Sequence, residues 1–193
     1  MKSADINFIP FSSPEIDDDE ISSVIRAMRS GWLTTGPNVL KFEKNFSSYL
    51  GCDLESIAVN SATSGLHLAL EALGIGPGDE VITTIHTFTA TAEVIRYLGA
   101  HPVFVDIKKD TLCIDVDAFE QAISSRTKAV IPVHFGGLAV DMPRLLDIAH
   151  RYGLKVIEDA AHALPATSNG KLVGSLESDA SGFSFYANNT MAT

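Results

Sequence analysis

The pattern of hydrophobic and polar positions divides the chain into two parts near residue 50. In the first part, apolar residues recur every three or four positions in two stretches, which predicts two amphipathic helices. Ser12–Glu15 opens the first helix and Gly31 ends it, while Pro37 opens the second. We therefore expect residues 1–50 to form a helical N-terminal segment. The apolar positions are Ile21, Val24, Ile25 and Met28 in the first helix, and Val39, Phe42, Phe46 and Tyr49 in the second.

From residue 51 to residue 193, short apolar runs alternate with stretches of helical spacing. Asp115 and Asp141 are suitable N-caps for two of the helices between the runs. Strands that are separated by helical crossovers indicate an α/β fold, in which a mostly parallel sheet carries helices on both faces. The predicted strands are Ile57–Val59, Val81–Thr83, Pro102–Asp106, Ala129–Val133, Leu154–Ile157 and Ala180–Tyr186.

Composition narrows the possible functions. The formal charge of −10 argues against nucleic acid or an anionic membrane surface as a partner. No apolar run approaches the roughly 20 residues of a membrane span, and Met1–Asp5 lacks the apolar centre of a signal peptide. Cys52 and Cys113 form no CxxC pair, so neither a disulfide framework nor a zinc site is indicated. A cytoplasmic location is expected.

The polar residues that follow the Leu154–Ile157 strand are the first candidates for chemistry. Asp159 and His162 come directly after this apolar run. Ligands of open α/β sheets bind outside the carboxyl ends of the strands, and polar groups are costly when they are buried without partners. We therefore expect Asp159 and His162 to face a ligand. His134 ends another strand, so a metal site with Asp159 and His162 is an alternative, although the spacing matches no standard metal motif.

Other predicted strand ends carry hydroxyl groups and an aromatic residue. Thr63 and Ser64 lie in Asn60–Gly65, at the start of a predicted helix, where they could bind a phosphate or simply cap the helix. Phe88 could stack on a planar ligand or belong to the core. The glycines of 74–78 follow a helix and precede a strand, which is the reverse of a dinucleotide-binding loop.

The combination of these groups indicates a phosphorylated aromatic cofactor. Ser184, near the end of the last predicted strand, adds a further hydroxyl at the same edge. An anion site, a flat apolar surface and a carboxylate together suit pyridoxal phosphate, because a carboxylate paired with the pyridinium nitrogen keeps that ring an electron sink.

The sequence resembles the DegT/DnrJ/StrS-type sugar aminotransferases, which are pyridoxal-phosphate enzymes of the aspartate aminotransferase fold. The resemblance covers essentially the whole chain, and its most specific blocks are Val156–His162 and Phe183–Tyr186. It implies that the chain is the large domain of this fold, incomplete at the C-terminus and without the small domain. The other matching blocks are Ser30–Pro37, Gly78–Ile82 and Pro132–Gly137.

The resemblance also implies a role for each candidate residue and an activity. Asp159 would hold the pyridine nitrogen, His162 would bond to the side of the ring that carries the phenolic oxygen, and Phe88 would stack on the ring. Phosphate would be bound by Thr63, Ser64 and Ser184. Members of the family transfer an amino group, usually from glutamate, to a keto group of a nucleotide-linked sugar, which supplies amino sugars for surface polysaccharides or glycans. They act as homodimers with shared active sites.

The chain departs from the family pattern at Asn189. The family pattern has a lysine there, which forms the Schiff base with the cofactor and then moves the proton, while some relatives carry a histidine. A carboxamide is neither a nucleophilic amine nor a base, so we expect this chain to be inactive as written. Three interpretations remain: a fragment of a true aminotransferase with a substitution or error near its end, a deliberate lysine replacement, or a non-catalytic relative that binds cofactor or nucleotide sugar. We favour the first.

Overall fold

A parallel sheet forms the centre of the computed structural model, which describes residues 10, 13–51, 53–187 and 189. Within this part of the chain the sheet has five strands in the order β2-β1-β3-β4-β7, and all neighbouring pairs are parallel. The predicted α/β class with a mostly parallel sheet is therefore confirmed. The strands are β1 (Glu80–Thr84), β2 (His101–Val105), β3 (Thr127–Ile131), β4 (Lys155–Asp159) and β7 (Ala180–Gly182); β5 (Thr167–Ser168) and β6 (Lys171–Leu172) form a separate antiparallel pair.

Helices cover both faces of the sheet, as predicted. Side chains along each strand alternate between the faces, so that Ile82, Val130 and Val156 pack with α5 and α6. Val81, Ile131 and Ile157 pack on the other side with α3 and α4. No described helix combines the length and the hydrophobicity that crossing a membrane requires. The helices are α1 (Asp18–Ser30), α2 (Pro37–Leu50), α3 (Ala62–Ala72), α4 (Thr89–Tyr97), α5 (Val116–Gln121) and α6 (Met142–Tyr152).

The first helix begins later than the sequence predicts. Asp17 is its N-cap, because the Asp17 carboxylate accepts a hydrogen bond from Asp19 N–H at 2.8 Å and the Glu20 carboxylate accepts one from Asp17 N–H at 2.9 Å. This reciprocal capping box outweighs the Ser-Pro start signal. Ser13–Glu15 is described as non-helical, and Ser12 lies outside the described residues. The predicted end at Gly31 is confirmed by its left-handed conformation, with φ at 72°.

Two of the predicted strands differ from the structure: one is absent, and the other is shorter than predicted. Ile57–Val59 is not a strand, and Ile57 is 79% exposed, because no described strand lies beside this segment to complete its hydrogen bonds. The last strand ends at Gly182 rather than Tyr186. Gly182 pairs with Asp159, the final residue of β4, so β4 offers no further pairing partner to residues 183–186.

Candidate active site

Asp159 lies at the carboxyl end of β4, and its backbone is fixed by the turn that follows β3. Its N–H donates to the carbonyl oxygen of Pro132 at 2.9 Å, and its own carbonyl oxygen accepts from His134 N–H at 3.1 Å. Only 6% of Asp159 is exposed. A carboxylate held this firmly at the carboxyl edge of a parallel sheet is placed where ligands of such sheets bind.

Hydroxyl groups of the loop after β1 and of α4 orient the Asp159 side chain. Thr91 Oγ1 donates to Asp159 Oδ2 at 2.7 Å, and Ala161 N–H donates to Asp159 Oδ1 at 3.3 Å. Thr87 Oγ1 lies 2.7 Å from Thr91 Oγ1. Since the single hydroxyl hydrogen of Thr91 goes to the carboxylate, Thr87 is the donor in this second bond. Threonines recur between residues 83 and 91, but no pattern in the sequence distinguishes Thr91 from the others.

Phe88 lies on the surface beside this hydroxyl chain. It is the N-cap residue of α4, three positions before Thr91, and it is 77% exposed. The alternative that Phe88 belongs to the core is therefore wrong. Its exposed ring leaves an apolar surface free near the buried carboxylate.

The first turn of α3 carries the predicted phosphate-binding hydroxyls. Ser61 is the N-cap, and its Oγ accepts from Ser64 N–H at 3.1 Å. Ser64 Oγ donates to Asn60 Oδ1 at 2.7 Å. The capping function thus belongs to Ser61, whereas Thr63 lies half-buried within the first turn. A phosphate role for Thr63 and Ser64 stays a prediction.

Close packing brings the start of α3 to the same edge as Asp159. A Cβ atom on Gly182 would lie 3.0 Å from Cδ2 of Leu66, so α3 crosses β7 at this glycine. Gly182 pairs with Asp159, and Ser184 follows two residues later. The first turn of α3, the Asp159 carboxylate and Ser184 therefore lie at one edge of the sheet.

Aromatic residues of α2 hold the segment that contains Ser184. The ring centroids of Phe183 and Phe46 are 5.1 Å apart, and those of Phe185 and Phe42 are 5.2 Å apart, both in edge-to-face geometry. Because Phe183 and Phe185 both pack on α2, the chain on either side of Ser184 is held against that helix.

The Asn189 side chain turns back onto its own segment. Its Nδ2 donates to the carbonyl oxygen of Ser184 at 3.0 Å, and its backbone N–H donates to the carbonyl oxygen of Tyr186 at 2.8 Å. Asn189, which stands where the family pattern predicts a lysine, thus follows Ser184 in a compact turn. Residues 188 and 190–193, the end of the predicted domain, lie outside the described residues.

The histidines do not form the alternative metal site. His162 is exposed, whereas His134 is fully buried and both of its ring nitrogens are engaged. His134 Nδ1 accepts from Val140 N–H at 3.1 Å, so Nε2 carries the hydrogen and donates to Glu158 Oε2 at 2.9 Å. Within the described residues, no group of three or more potential ligands is arranged to hold a metal ion.

Glu158 is a second buried carboxylate, next to Asp159, that sequence reasoning did not assign to a role. Burial raises the pKa of Glu158, but hydrogen bonds from His134, Ser178 and Ser181 more than offset this effect and hold the pKa below its usual value. The two-residue period of a strand could have indicated this difference, since it places the side chains of Glu158 and Asp159 on opposite faces of the sheet.

Comparison with known sequences identifies close relatives of about twice this length. SpsC, the spore coat polysaccharide biosynthesis protein of Bacillus subtilis, is 50% identical over 187 residues, which are 97% of this chain and 48% of SpsC. MJ1066 of Methanocaldococcus jannaschii has the same identity over the same length, again with 97% and 48% coverage. The chain thus spans about half the length of the curated relatives it matches.

A solved structure has the same fold. Spr1654 of Streptococcus pneumoniae, provisionally named a sugar aminotransferase, is 39% identical to this chain and superimposes with a TM-score of 0.91 in both its PMP and its PLP form. The superposition covers 95% of this chain and 50% of Spr1654. A family model, that of the DegT/DnrJ/EryC1/StrS aminotransferase family, matches residues 14–193. The resemblance inferred from the sequence is confirmed: this chain belongs to the DegT/DnrJ/EryC1/StrS aminotransferase family.

Proposed function

We propose that this chain is the cofactor-binding large domain of a pyridoxal-phosphate-dependent aminotransferase that acts on a keto sugar. The observation that carries the proposal is the buried Asp159 carboxylate, oriented by Thr91 at the carboxyl edge of the sheet. A carboxylate is the partner that a pyridinium nitrogen requires. The names of SpsC and Spr1654, which refer to polysaccharide biosynthesis and to sugar amination, support the sugar substrate.

The side chains at this edge of the sheet suit non-covalent binding of the cofactor. Asp159 would pair with the ring nitrogen, and the exposed Phe88 would stack on the ring. Hydroxyls and free N–H groups at the start of α3 suit a phosphate, because the N-terminus of a helix attracts anions. When bound, pyridoxal phosphate supplies an electron sink at the amino-bearing carbon. Thr63, Ser64 and Ser184 would hold the phosphate, and His162 would contact the phenolic oxygen.

Asn189 does not fit the covalent role. Its carboxamide has no nucleophilic nitrogen and cannot take up a proton near neutral pH. The unaltered chain would therefore hold the cofactor through non-covalent contacts and would not transfer an amino group.

The remaining parts of the proposal concern the whole protein. The substrate would be a nucleotide-linked keto sugar and the donor glutamate, and the product an amino sugar for a surface polysaccharide. The complete protein would be a cytoplasmic homodimer, as the family resemblance implies. The domain bounds, with 1–50 as a helical segment and 51–193 as the cofactor-binding part, belong to the same proposal.

Covalent labelling tests whether residue 189 faces the cofactor. The chain is mixed with pyridoxal phosphate, reduced with borohydride and mapped by peptide mass spectrometry. We expect the Asn189→Lys variant to carry reduced cofactor at residue 189, and the unaltered chain to carry none on that peptide.

A lysine at Ala187 provides the matched control, because Ala187 is exposed and lies two residues earlier in the same segment. Labelling of Asn189→Lys should exceed that of Ala187→Lys, and the additional change Asp159→Asn should lower it. Equal labelling at the two positions, or none at residue 189, would contradict the proposed site.

A second candidate is a relative that binds a ligand without catalysing transfer. It is favoured by the hydrogen bond from Asn189 Nδ2 to Ser184, which satisfies the amide within its own turn. Calorimetric titration of the unaltered chain with pyridoxamine phosphate and with a nucleoside diphosphate sugar separates the two ligands. Binding of the sugar nucleotide alone would favour this second function.

A further inference from the structure

Glu158 connects three segments of the chain behind the candidate site. Its Oε2 accepts from His134 Nε2 at 2.9 Å, while its Oε1 accepts from Ser181 Oγ at 2.9 Å and also from Ser178 Oγ. The side chain is fully buried. A buried carboxylate that accepts several hydrogen bonds is held firmly in one orientation, because each lost bond would leave a buried charged group without a partner.

His134 links the turn after β3 to two successive residues of β4. Its ring donates to the Glu158 carboxylate, and its backbone N–H donates to the carbonyl oxygen of Asp159 at 3.1 Å. Val140 N–H holds the other ring nitrogen as an acceptor, so the imidazole cannot change tautomer without losing a bond. The position of the Asp159 backbone therefore depends on the same residue that holds Glu158.

The Ser181 hydroxyl links Glu158 to β7, and the Ser178 hydroxyl links it to the segment that precedes β7. Ser181 pairs with Glu158 in the parallel ladder, and the next carbonyl oxygen, that of Gly182, accepts from Ala160 N–H at 2.9 Å. This backbone bond closes the ladder directly after Asp159. Any slip of β7 along β4 would break the bond from Ser181 to Glu158 and would shift Ser184 relative to Asp159.

The two carboxylates lie on opposite faces of β4. Asp159 shares its face with Ile157, toward α3 and α4, and bonds to Thr91 of α4. Glu158 shares its face with Val156, toward α5 and α6. Glu158 therefore has no direct contact with the proposed cofactor position and can act on it only through the backbone.

We propose that Glu158 is a positioning residue that fixes Asp159 against the β7 segment leading to Ser184, so that the carboxylate and the phosphate-side hydroxyl keep a set separation. The inference rests on the proposed function for its consequence in cofactor binding. Its geometric part, the local order of the Asp159 backbone, is independent of any ligand.

Hydrogen exchange of individual amides tests the geometric part without cofactor. In Glu158→Gln, one carboxamide oxygen cannot replace two carboxylate oxygens that accept three hydrogen bonds. We expect the amides of Asp159 and Ala160 to exchange about tenfold faster than in the unaltered chain, relative to the amides of β1. Glu177→Gln, the same change at an exposed neighbouring glutamate, should leave these rates unchanged.

A milder variant covers the case in which Glu158→Gln does not fold. Ser181→Ala removes one donor and leaves the bond from His134 to the carboxylate intact. It should accelerate exchange at Ala160 by a smaller factor. Unchanged exchange at Asp159 and Ala160, or equal acceleration throughout the sheet, would overturn the proposal.

Binding of two cofactor forms tests the functional part. The probes are pyridoxamine phosphate and its analogue with carbon in place of the ring nitrogen, which cannot pair with Asp159. The unaltered chain should bind pyridoxamine phosphate more tightly than its analogue. Ser181→Ala and Glu158→Gln should reduce this preference. A merely structural loss would instead weaken the binding of both compounds equally. If the unaltered chain binds neither compound, the proposed function fails, and the exchange rates alone decide whether Glu158 positions Asp159.

Discussion

Thr91 donates its hydroxyl hydrogen to Oδ2 of Asp159 across 2.7 Å, and both residues are buried. The bond joins the start of α4 to the end of β4, and Thr87 extends it toward the surface. Chains of hydrogen bonds polarise one another, which strengthens the hold on the carboxylate. The orientation of Asp159 is thus determined by the helix that also carries Phe88 at its N-cap.

Replacement of Thr91 by valine keeps the shape of the side chain but removes the donor. We expect Thr91→Val to weaken binding of pyridoxamine phosphate about tenfold and to lower the free energy of unfolding by about 1–2 kcal/mol. Calorimetry and urea denaturation measure the two effects. Thr89→Val is the control at an exposed position of the same helix, and it should change neither quantity appreciably. An unaffected affinity in Thr91→Val would show that the bond does not orient Asp159 for binding.

Phe88→Ala should separate binding from stability. Because Phe88 is 77% exposed, its removal should change the free energy of unfolding by less than about 0.5 kcal/mol. Loss of ring stacking should weaken binding of pyridoxamine phosphate roughly fivefold. Ile85→Ala, in the same loop and 63% exposed, should leave the affinity unchanged. If both variants bind as the unaltered chain does, Phe88 has no stacking role.

Gly182→Ala should push α3 away from β7. The new Cβ would lie 3.0 Å from Leu66 Cδ2, which is too close for ordinary contact, and we expect a loss of about 1–3 kcal/mol in the free energy of unfolding. Gly76→Ala is the control, because nothing lies within 4 Å of its added carbon. In a Leu66→Val background the cost of Gly182→Ala should fall. A cost that is the same in both backgrounds would exclude this clash as the cause.

Phe46→Ala should loosen the segment around Ser184. Phe46 packs edge-to-face against Phe183 and Phe185 at 5.1 and 5.4 Å, and we expect its removal to cost about 2 kcal/mol in the free energy of unfolding. Faster proteolysis between residues 183 and 187 would confirm the local effect. Leu40→Ala, 63% exposed on the same helix, should be nearly neutral in both measurements.

Glu80 should contribute to the acid sensitivity of the fold. Hydrogen bonds from Ser124 and Arg126 hold the pKa of Glu80 below its usual value of 4.5. Because the pKa of Glu80 is lower in the folded state than in the unfolded state, the ionised carboxylate stabilises the fold. This contribution is complete above the unfolded-state pKa and is lost as the pH falls through the folded-state pKa. We expect Glu80→Gln to flatten the pH dependence of the free energy of unfolding below pH 4.5. Glu71→Gln, at an exposed site, should leave the slope unchanged.

Most of the fold could be predicted because local signals agreed with the final packing. Asp141 caps α6, and the apolar run before Asp159 becomes β4, since a buried parallel strand needs apolar residues on both faces. Ile57–Val59 has the composition of a strand but lacks a described neighbour to pair with. Strand formation depends on such distant partners, which composition does not specify.

The candidate site could be predicted only in part, because sequence position does not give side-chain direction. The position of Asp159 at the carboxyl edge follows from the end of its strand. His134 also follows a strand, but its ring turns inward to Glu158 because the buried carboxylate requires a donor. The sequence does not indicate a role for Thr91, because its hydrogen-bond partner, Asp159, is 68 residues away. Its role arises only when α4 packs against the sheet.

The turn at Asn189 has a consequence for how this gene can change. The backbone N–H of Asn189 donates to the carbonyl oxygen of Tyr186, a bond that any residue except proline could form, whereas the bond to the carbonyl oxygen of Ser184 comes from the carboxamide. Asparagine and lysine codons differ only in their third base. One point mutation would therefore place a lysine at the position that we propose as the covalent anchor, and in genetic terms such a change is reversible.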